Sequence, residues 1–227
     1  MKDSFIKKYW LPALSLALFI AGLYLVFLYV PTEATMGVVQ RIFYFHVPVA
    51  WVAFLAFFIV FIGSILYLWK RDDKWDRLAA ASAEIGVIFT SLMLITGSIW
   101  AKPIWGVWWV WEPRLTTALV LWFIYVAYLL IRSYALEESR GARFAAVIGI
   151  VGFIDVPIVF LSITLWRTQH PSPVIFEGGL ESSMLLALMV CLAAFTTLYV
   201  SLLRLRVGLR KVEKDVKTIE SENENPA

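Results

Sequence analysis

The chain has 227 residues, of which 61% are hydrophobic and only 16% carry a charged side chain. This composition lies far outside the range of soluble domains and excludes an ordinary water-soluble enzyme or binding module, so we expect a membrane protein surrounded by the lipid bilayer. The formal net charge of +3 is small, and we expect no nucleic acid among the partners.

Six apolar stretches are long enough to cross the roughly 30 Å hydrocarbon core of a bilayer as α-helices. In chain order they lie at about 11–30, 47–69, 83–100, 115–131, 145–166 and 183–203. The first follows Lys7 and Lys8 as a signal peptide would, but its apolar run exceeds that of a typical signal peptide, so we expect a retained helix. The predicted fold is an all-α membrane domain over 1–203, followed by a charged tail over 204–227.

The basic residues decide the orientation of these helices. Six spans place both termini on one side, and 16 of the 20 Lys and Arg residues fall in the N-terminus, the loops at 70–78 and 132–144, and the tail. Because short cytoplasmic segments carry an excess of Lys and Arg, we expect both termini to be cytoplasmic. The opposite, external face carries the other four basic residues: Arg41, Lys102, Arg114 and Arg167.

Three segments remain on the external face, at 31–46, 101–114 and 167–182, and the only two histidines lie in the first and the third. Histidine is the commonest metal ligand among side chains and is largely neutral near pH 7. Taken singly, His46 and His170 are equally consistent with ordinary loop residues. Because both lie on one face and flank the second segment, we predict that they are ligands of one metal.

The second external segment contains "WGVWWVWEPR" at 105–114, with four tryptophans in seven positions. We predict a short helix over 104–112 that lies in the membrane interface and presents one stripe of side chains, formed by Trp105, Trp108, Trp109 and Glu112, with Trp111 close to Trp108. The alternative is that the indoles only anchor this helix at the interface, as tryptophans commonly do. An anchor does not require so many indoles, so the cluster favours a binding surface for a flat ligand.

A metal-centred macrocycle accounts for the histidines and the tryptophans together. Haem is apolar on its faces and anionic at one edge, so it calls for aromatic walls, axial imidazoles and cations at the rim. Two axial histidines leave the iron no open position, a pattern suited to holding haem rather than to activating oxygen. The four external cations are candidate partners of the haem carboxylates; alternatively, they contact lipid headgroups.

These segments resemble a known family. The run "WGVWWVWEPRLTT" is similar to the tryptophan-rich WWD signature of the haem-handling proteins of cytochrome c assembly. The sequences "RIFYFHVPVAW" around His46 and "LWRTQHPSP" around His170 resemble the two histidine segments of the shorter branch of that family, haem exporter protein C (CcmC). The resemblance extends over nearly the whole chain. One position departs from the signature: Glu112 stands where the family usually has aspartate, which retains the charge and adds a methylene group.

The resemblance implies that haem b binds on the external face against the tryptophan segment, with His46 and His170 as axial ligands. The expected haem-binding set is Trp105, Gly106, Trp108, Trp109, Trp111, Glu112 and Arg114, together with Arg41, Lys102 and Arg167.

The resemblance also implies a location and partners. It places the protein in the bacterial inner membrane with the site facing the periplasm, where haem is delivered to a membrane-tethered haem chaperone. The expected companions are an ABC-type ATPase and permease complex and a small single-span helper. Because the chain has no nucleotide-binding motif, ATP-driven release has to be powered by another chain. We expect a delivery protein rather than an enzyme, although help with covalent attachment of haem to the acceptor stays open.

Three acidic residues differ in the role that their position suggests. Asp155 lies near the middle of the fifth span, two residues before Pro157, where an ionised carboxylate costs at least ~2.5–3.5 kcal/mol and suggests a function. We favour the alternative that it hydrogen-bonds the backbone that proline leaves unpaired. Glu84 lies close enough to the cytoplasmic interface to reach headgroup water, and we assign it no role. Glu112, before Pro113, is also typical of a helix N-terminus.

Three functions are consistent with this pattern, and the leading one is an integral membrane protein that holds haem and hands it to an acceptor. A second is an electron-transfer cytochrome of the b type, which is disfavoured because its ligands normally lie within the spans, whereas His46 and His170 lie at span edges. A third is a haem transporter. It is disfavoured because Asp155 is the only acid near the middle of the membrane and no pair of half-helices marks a path.

Overall fold

The structure is a computed structural model that describes residues 2–135, 137–166, 170 and 179–224. These residues form seven α-helices: α1 (Lys2–Tyr24), α2 (Phe43–Lys70), α3 (Asp73–Trp105), α4 (Pro113–Tyr134), α5 (Glu138–Gly152), α6 (Asp155–Leu165) and α7 (Ser182–Glu224). A π-helical turn (Leu25–Tyr29) follows α1, and a 3-10 helix (Val38–Ile42) precedes α2. No strand occurs among the described residues, so the predicted all-α class is confirmed.

Six stretches of helix are long and apolar enough to span a membrane, as the sequence predicts. They are Tyr9–Tyr29, Val38–Lys70, Asp73–Trp105, Pro113–Tyr134, Ser139–Leu165 and Ser182–Lys217. Several extend beyond the predicted bounds, because polar residues next to the apolar run also have helical backbone. At the start of α3, for example, the Asp72 side chain accepts the backbone N–H of Lys74 at 2.9 Å.

The fifth span is broken into two helices at Phe153 and Ile154. Pro157 stands in the first turn of α6, where it cannot donate a hydrogen bond to Phe153 and its ring crowds that carbonyl. Oδ2 of Asp155 is buried and has no hydrogen-bond partner among the residues that the structure describes. The hydrogen bond expected from Asp155 to the freed backbone is therefore not made by this oxygen.

The core of the bundle is built around α2. Phe57 of α2 stacks on Tyr125 of α4, with ring centroids 3.7 Å apart and planes at 9°. Gly86 of α3 makes this approach possible, since a Cβ atom at that position would lie 2.6 Å from Cε1 of Phe57. Tyr125 and Tyr128 of α4 are fully buried beside this stack. The centre of the bundle is therefore filled by aromatic side chains.

Ion pairs join the helices at the end that carries the α2–α3 turn. Arg132 of α4 donates to both carboxylate oxygens of Asp76 of α3, at 2.5 and 2.7 Å. Glu84 of α3 accepts from Arg206 of α7 at 2.5 and 3.1 Å and from Arg210 at 2.6 Å. Glu84 therefore has a structural role that the sequence does not predict. Its carboxylate binds two guanidinium groups of a helix that lies more than a hundred residues away along the chain.

We expect the Asp76→Ala variant to lower the free energy of unfolding by ~3–5 kcal/mol, because it leaves the charge of Arg132 buried without its partner. The side chains of this pair are only 11% and 14% exposed. Lys74→Ala is the matched control, since its pair with Asp72 has side chains 58% and 43% exposed and is expected to contribute ~0–1 kcal/mol. Thermal unfolding in detergent measures both, and equal losses would contradict the assignment.

Candidate ligand-binding site

A pocket opens at the other end of the bundle, between the start of α2, the end of α3 and the start of α4. It contains about 810 Å³ of space, part of it open to the surroundings. Its base is apolar and includes Phe54, Met93, Leu115 and Val159. Its polar and aromatic wall includes His46, His170, Trp100, Trp105, Trp109 and Arg114.

His46 lies in the first turn of α2, which begins at Phe43. The sequence placed it in an external loop, but the helix starts earlier because the 3-10 helix before it runs directly into α2. Its Nδ1 is 2.9 Å from Oγ1 of Thr96 on α3, and its ring meets Trp100 edge-on with centroids 5.8 Å apart. The helix start and two contacts with α3 therefore define the position of this imidazole.

His170 lines the same pocket. It comes from the long segment between α6 and α7, whereas His46 comes from α2, and 124 positions separate the two in the sequence. The folding of the bundle thus brings the two histidines of the chain to one cavity. The arrangement offers two imidazoles to a single ligand.

The tryptophan-rich segment is not the helix that the sequence predicts. Helix α3 ends at Trp105, and Gly106 follows in the left-handed conformation with φ of 77°, donating its N–H to the carbonyl of Lys102 at 3.0 Å. Residues 107–112 have no regular structure. The predicted helix over 104–112 is therefore wrong beyond Trp105. Gly106 ends the preceding helix, and Pro113 restricts Glu112 to an extended backbone.

This irregular backbone divides the tryptophans into two pairs. Trp105 and Trp109 line the pocket and are partly buried. Trp108 and Trp111 are 57% and 76% exposed and lie outside the lining. Two residues of the predicted stripe, Trp105 and Trp109, thus lie together in the pocket wall. Helical spacing cannot be applied to 106–112, because the chain there is not helical.

The candidate cations also separate. Arg114 lines the pocket, and its Nη1 is buried without a hydrogen-bond partner among the described residues. Arg41 lies outside the lining, with its guanidinium 5.7 Å from the centre of the Phe27 ring. Lys102 donates from Nζ to the carbonyl of Gly106 at 2.8 Å, so it caps α3. Arg167 lies outside the described residues.

Glu112 occupies the N-cap position of α4, with Pro113 as the first helical residue. Its side chain is 8% exposed and makes no capping hydrogen bond, whereas its carbonyl accepts the N–H of Thr116 at 3.0 Å. The predicted helix start is therefore confirmed, but the carboxylate does not cap it. Neither Glu112 nor Gly106 is part of the pocket lining.

Sequence reasoning missed Trp100 as a site residue, although it belongs to the same tryptophan cluster. Gly97, Trp100, Ala101 and Ile104 all line the pocket, and their spacing places them on one face of α3. That spacing is the signal that could have found Trp100. The indole N–H groups of Trp100 and Trp109 are buried without an acceptor among the residues described. Together with Arg114 they supply three buried donor groups in the pocket wall.

A turn before α2 brings Met36 to the pocket. The Glu33 carboxylate accepts the backbone N–H groups of Thr35, at 2.8 Å, and of Met36. These hydrogen bonds stabilise the charged form and lower the pKa of Glu33. Gly37 closes the turn with a φ of 60°. At neutral pH the ionised Glu33 therefore stabilises the loop that carries Met36.

Comparison with known proteins points to one family. The family model described as Heme exporter protein C matches residues 4–222. The chain is 39% identical over 196 residues to Heme exporter protein C of Bradyrhizobium diazoefficiens, covering 85% of this chain and 74% of that protein. It is 35% identical over 178 residues to Heme exporter protein C of Escherichia coli, covering 77% and 71%. A putative cytochrome c biosynthesis ccmC-like mitochondrial protein of Marchantia polymorpha is 34% identical over 176 residues, covering 77% and 75%.

We expect Gly106→Ala to lower the free energy of unfolding by about 1–2 kcal/mol, because an L-residue with a side chain is strained in the left-handed conformation. A Cβ atom there meets nothing within 4 Å, so the cost comes from the backbone alone. Gly208→Ala in α7, where a Cβ atom is equally unhindered, is the matched control and is expected to be neutral or stabilising by up to ~1 kcal/mol. Thermal unfolding followed by tryptophan fluorescence compares them. If Gly106→Ala is as stable as Gly208→Ala, the stated reason for the end of α3 is incorrect.

Proposed function

We propose that this chain, which belongs to the Heme exporter protein C family, binds haem b in the pocket between α2, α3 and α4 and passes it to an acceptor protein. The observation that carries the proposal is that His46 and His170 line one cavity together with Trp100, Trp105 and Trp109. Haem supplies an iron that accepts axial imidazoles. The residues of this chain supply those imidazoles, the aromatic walls and a cation.

The two histidines are proposed as the axial ligands. A porphyrin supplies the equatorial ligands of its iron, so two imidazoles are the contribution that the protein has to make. Oγ1 of Thr96 lies 2.9 Å from Nδ1 of His46. A hydrogen bond to the ring nitrogen that does not bind the metal is usual for ligating histidines. Two strong axial ligands favour secure holding of haem over reaction with oxygen.

The remaining wall suits the faces and the edge of a porphyrin. Trp105 and Trp109 offer flat apolar surfaces. The buried donors of Arg114, Trp100 and Trp109 lack acceptors among the described residues, and leaving such groups unpaired is costly, so an anionic ligand edge is a suitable partner. Of the cations predicted for the haem carboxylates, we assign this contact to Arg114, because Arg41 and Lys102 lie outside the lining.

Charge supports an orientation with the pocket outside the cytoplasm. The helix ends that bear the ion pairs adjoin the segments rich in Lys and Arg, whereas the described basic residues near the pocket end are Arg41, Lys102 and Arg114. By the positive-inside rule both termini are cytoplasmic. We propose the bacterial inner membrane as the location and the periplasm as the side of haem release. There the acceptor is a membrane-tethered haem chaperone, assisted by an ABC-type ATPase and permease complex and a small single-span helper.

Packing favours handover at the pocket over transport of haem through the bundle. Beneath the pocket, Phe57, Tyr125 and Tyr128 are fully buried, and two of them are stacked. A route for a macrocycle would have to displace these rings, whereas release through the open side of the pocket leaves them in place. The exposed Trp108 and Trp111 are proposed as interfacial anchors beside that opening.

We expect the purified wild-type protein to carry haem with a bis-histidine spectrum, and His46→Ala and His170→Ala each to lose it. Since loss of a residue that merely orients a ligand costs about 10–100-fold in metal affinity, loss of a ligand is expected to reduce retained haem at least ~10-fold. Absorption spectra with and without dithionite, together with haem content per mole of protein, measure this. Unchanged spectra in both variants would rule out axial ligation.

Trp109→Leu is expected to weaken haem binding, because it removes an aromatic surface from the pocket wall. Aromatic contacts contribute ~0.5–1.5 kcal/mol beyond their buried area, so affinity is expected to fall roughly 2- to 10-fold. Trp108→Leu is the matched control, since Trp108 is 57% exposed and outside the lining, whereas the ring of Trp111 packs edge-on against Trp109 with centroids 5.7 Å apart. Haem titration of both variants decides the point: an equal loss would place the binding surface elsewhere along the tryptophan segment.

A further inference from the structure

One face of α3 packs against the imidazole of His46. Oγ1 of Thr96 lies 2.9 Å from Nδ1 of the ring. Gly97 adjoins the ring edge, and a Cβ atom there would lie 3.2 Å from Cε1 of His46, so any side chain would require the imidazole to shift. Trp100 meets the ring edge-on, one turn further along the helix. Three neighbouring positions of one helix thus determine where the imidazole lies.

The other contacts of Thr96 favour one direction for its hydrogen bond with His46. A threonine hydroxyl has a single hydrogen to donate and lone pairs to accept. Oγ1 of Thr96 donates that hydrogen within α3, to the carbonyl of Leu92 at 2.7 Å, with the carbonyl of Met93 at 3.2 Å. Its oxygen is therefore an acceptor towards Nδ1. The hydrogen of the neutral imidazole then resides on Nδ1, and Nε2 retains its lone pair.

We propose that Thr96 is a positioning residue for haem ligation: by accepting the Nδ1–H of His46 it keeps Nε2 unprotonated and holds the ring in the orientation in which Nε2 is the iron ligand. This inference rests on the proposed function, because it assigns to His46 the role of axial ligand. A hydrogen bond of this kind fixes the tautomer and the ring orientation of a ligating histidine and raises its basicity. Gly97 contributes by leaving room for the ring beside the helix backbone.

The tautomer is measured without haem. In full-length protein stripped of haem, with 15N-labelled histidine and the His170→Ala substitution, His46 is the only imidazole. We expect its 15N shifts to show a protonated Nδ1 and an unprotonated Nε2. Thr96→Val removes the acceptor at nearly constant volume and is expected to allow both tautomers. If the imidazole hydrogen is found on Nε2 in the protein that retains Thr96, the proposal is overturned.

Haem binding supplies the second measurement. Thr96→Val is expected to weaken haem affinity roughly 10–100-fold and to shift the haem midpoint potential to a more positive value, because a less basic imidazole stabilises ferric iron less well. Thr96→Ser retains the hydroxyl and is expected to restore both quantities. Thr90→Val is the matched control: Thr90 makes the same bond along α3, to the carbonyl of Gly86 at 2.7 Å, so the loss of that bond alone is expected to change neither quantity.

The outcomes distinguish a failure of this inference from a failure of the proposed function. If His46→Ala leaves haem content and spectrum unchanged, the proposed function fails, whatever the tautomer. If His46→Ala abolishes haem binding but Thr96→Val behaves as Thr90→Val does in affinity and potential, only the positioning role fails. The melting temperatures of Thr96→Val and Thr90→Val are compared with that of the wild type. If they match, a difference in haem affinity or potential reflects the His46 imidazole and not the folding of α3.

Discussion

The need to satisfy every backbone hydrogen bond inside the hydrocarbon core governs this molecule. Within the bilayer the chain has to be helical, because no water is present to bond with free N–H and C=O groups. Apart from the break at Phe153 and Ile154 in the fifth span, irregular backbone among the described residues lies between the spans, as in the tryptophan segment at 106–112. There the chain leaves α3 through Gly106 and rejoins a helix at Pro113. The pocket forms where the helical requirement is relaxed, above a core that is closed by stacked aromatic rings.

Helix α3 connects the two ends of the molecule. At one end its Asp76 and Glu84 are held by arginines of α4 and α7. At the other end Thr96 and Trp100 contact His46, and Trp105 lines the pocket. Helix α3 thus carries the acidic partners of the ion pairs at one end and part of the pocket wall at the other. For the proposed binding and release of a flat ligand, a preformed wall is an advantage, since less order has to be created at each binding event.

The tryptophan segment illustrates how one residue type serves two purposes. An indole is apolar over most of its surface and has one N–H donor, so it suits both a membrane interface and the wall of a ligand pocket. Trp105 and Trp109 are directed to the pocket, while Trp108 and Trp111 are exposed. The two interpretations that the sequence allows, membrane anchor and binding surface, are thus proposed for different tryptophans. A regular helix would have placed Trp105, Trp108 and Trp109 on one side.

The sequence by itself determined the number of membrane helices, their approximate limits and the family, because the length of an apolar run and the WWD-like motif are properties of contiguous residues. It also indicated both histidines and the tryptophan segment as candidate site residues. Only the tertiary structure decided which tryptophans and which cation line the pocket, that Glu84 is paired with Arg206 and Arg210, and that Thr96 contacts His46, 50 positions away along the chain. These depend on how helices pack against each other and on where α3 ends, and periodicity within one segment carries no information about either.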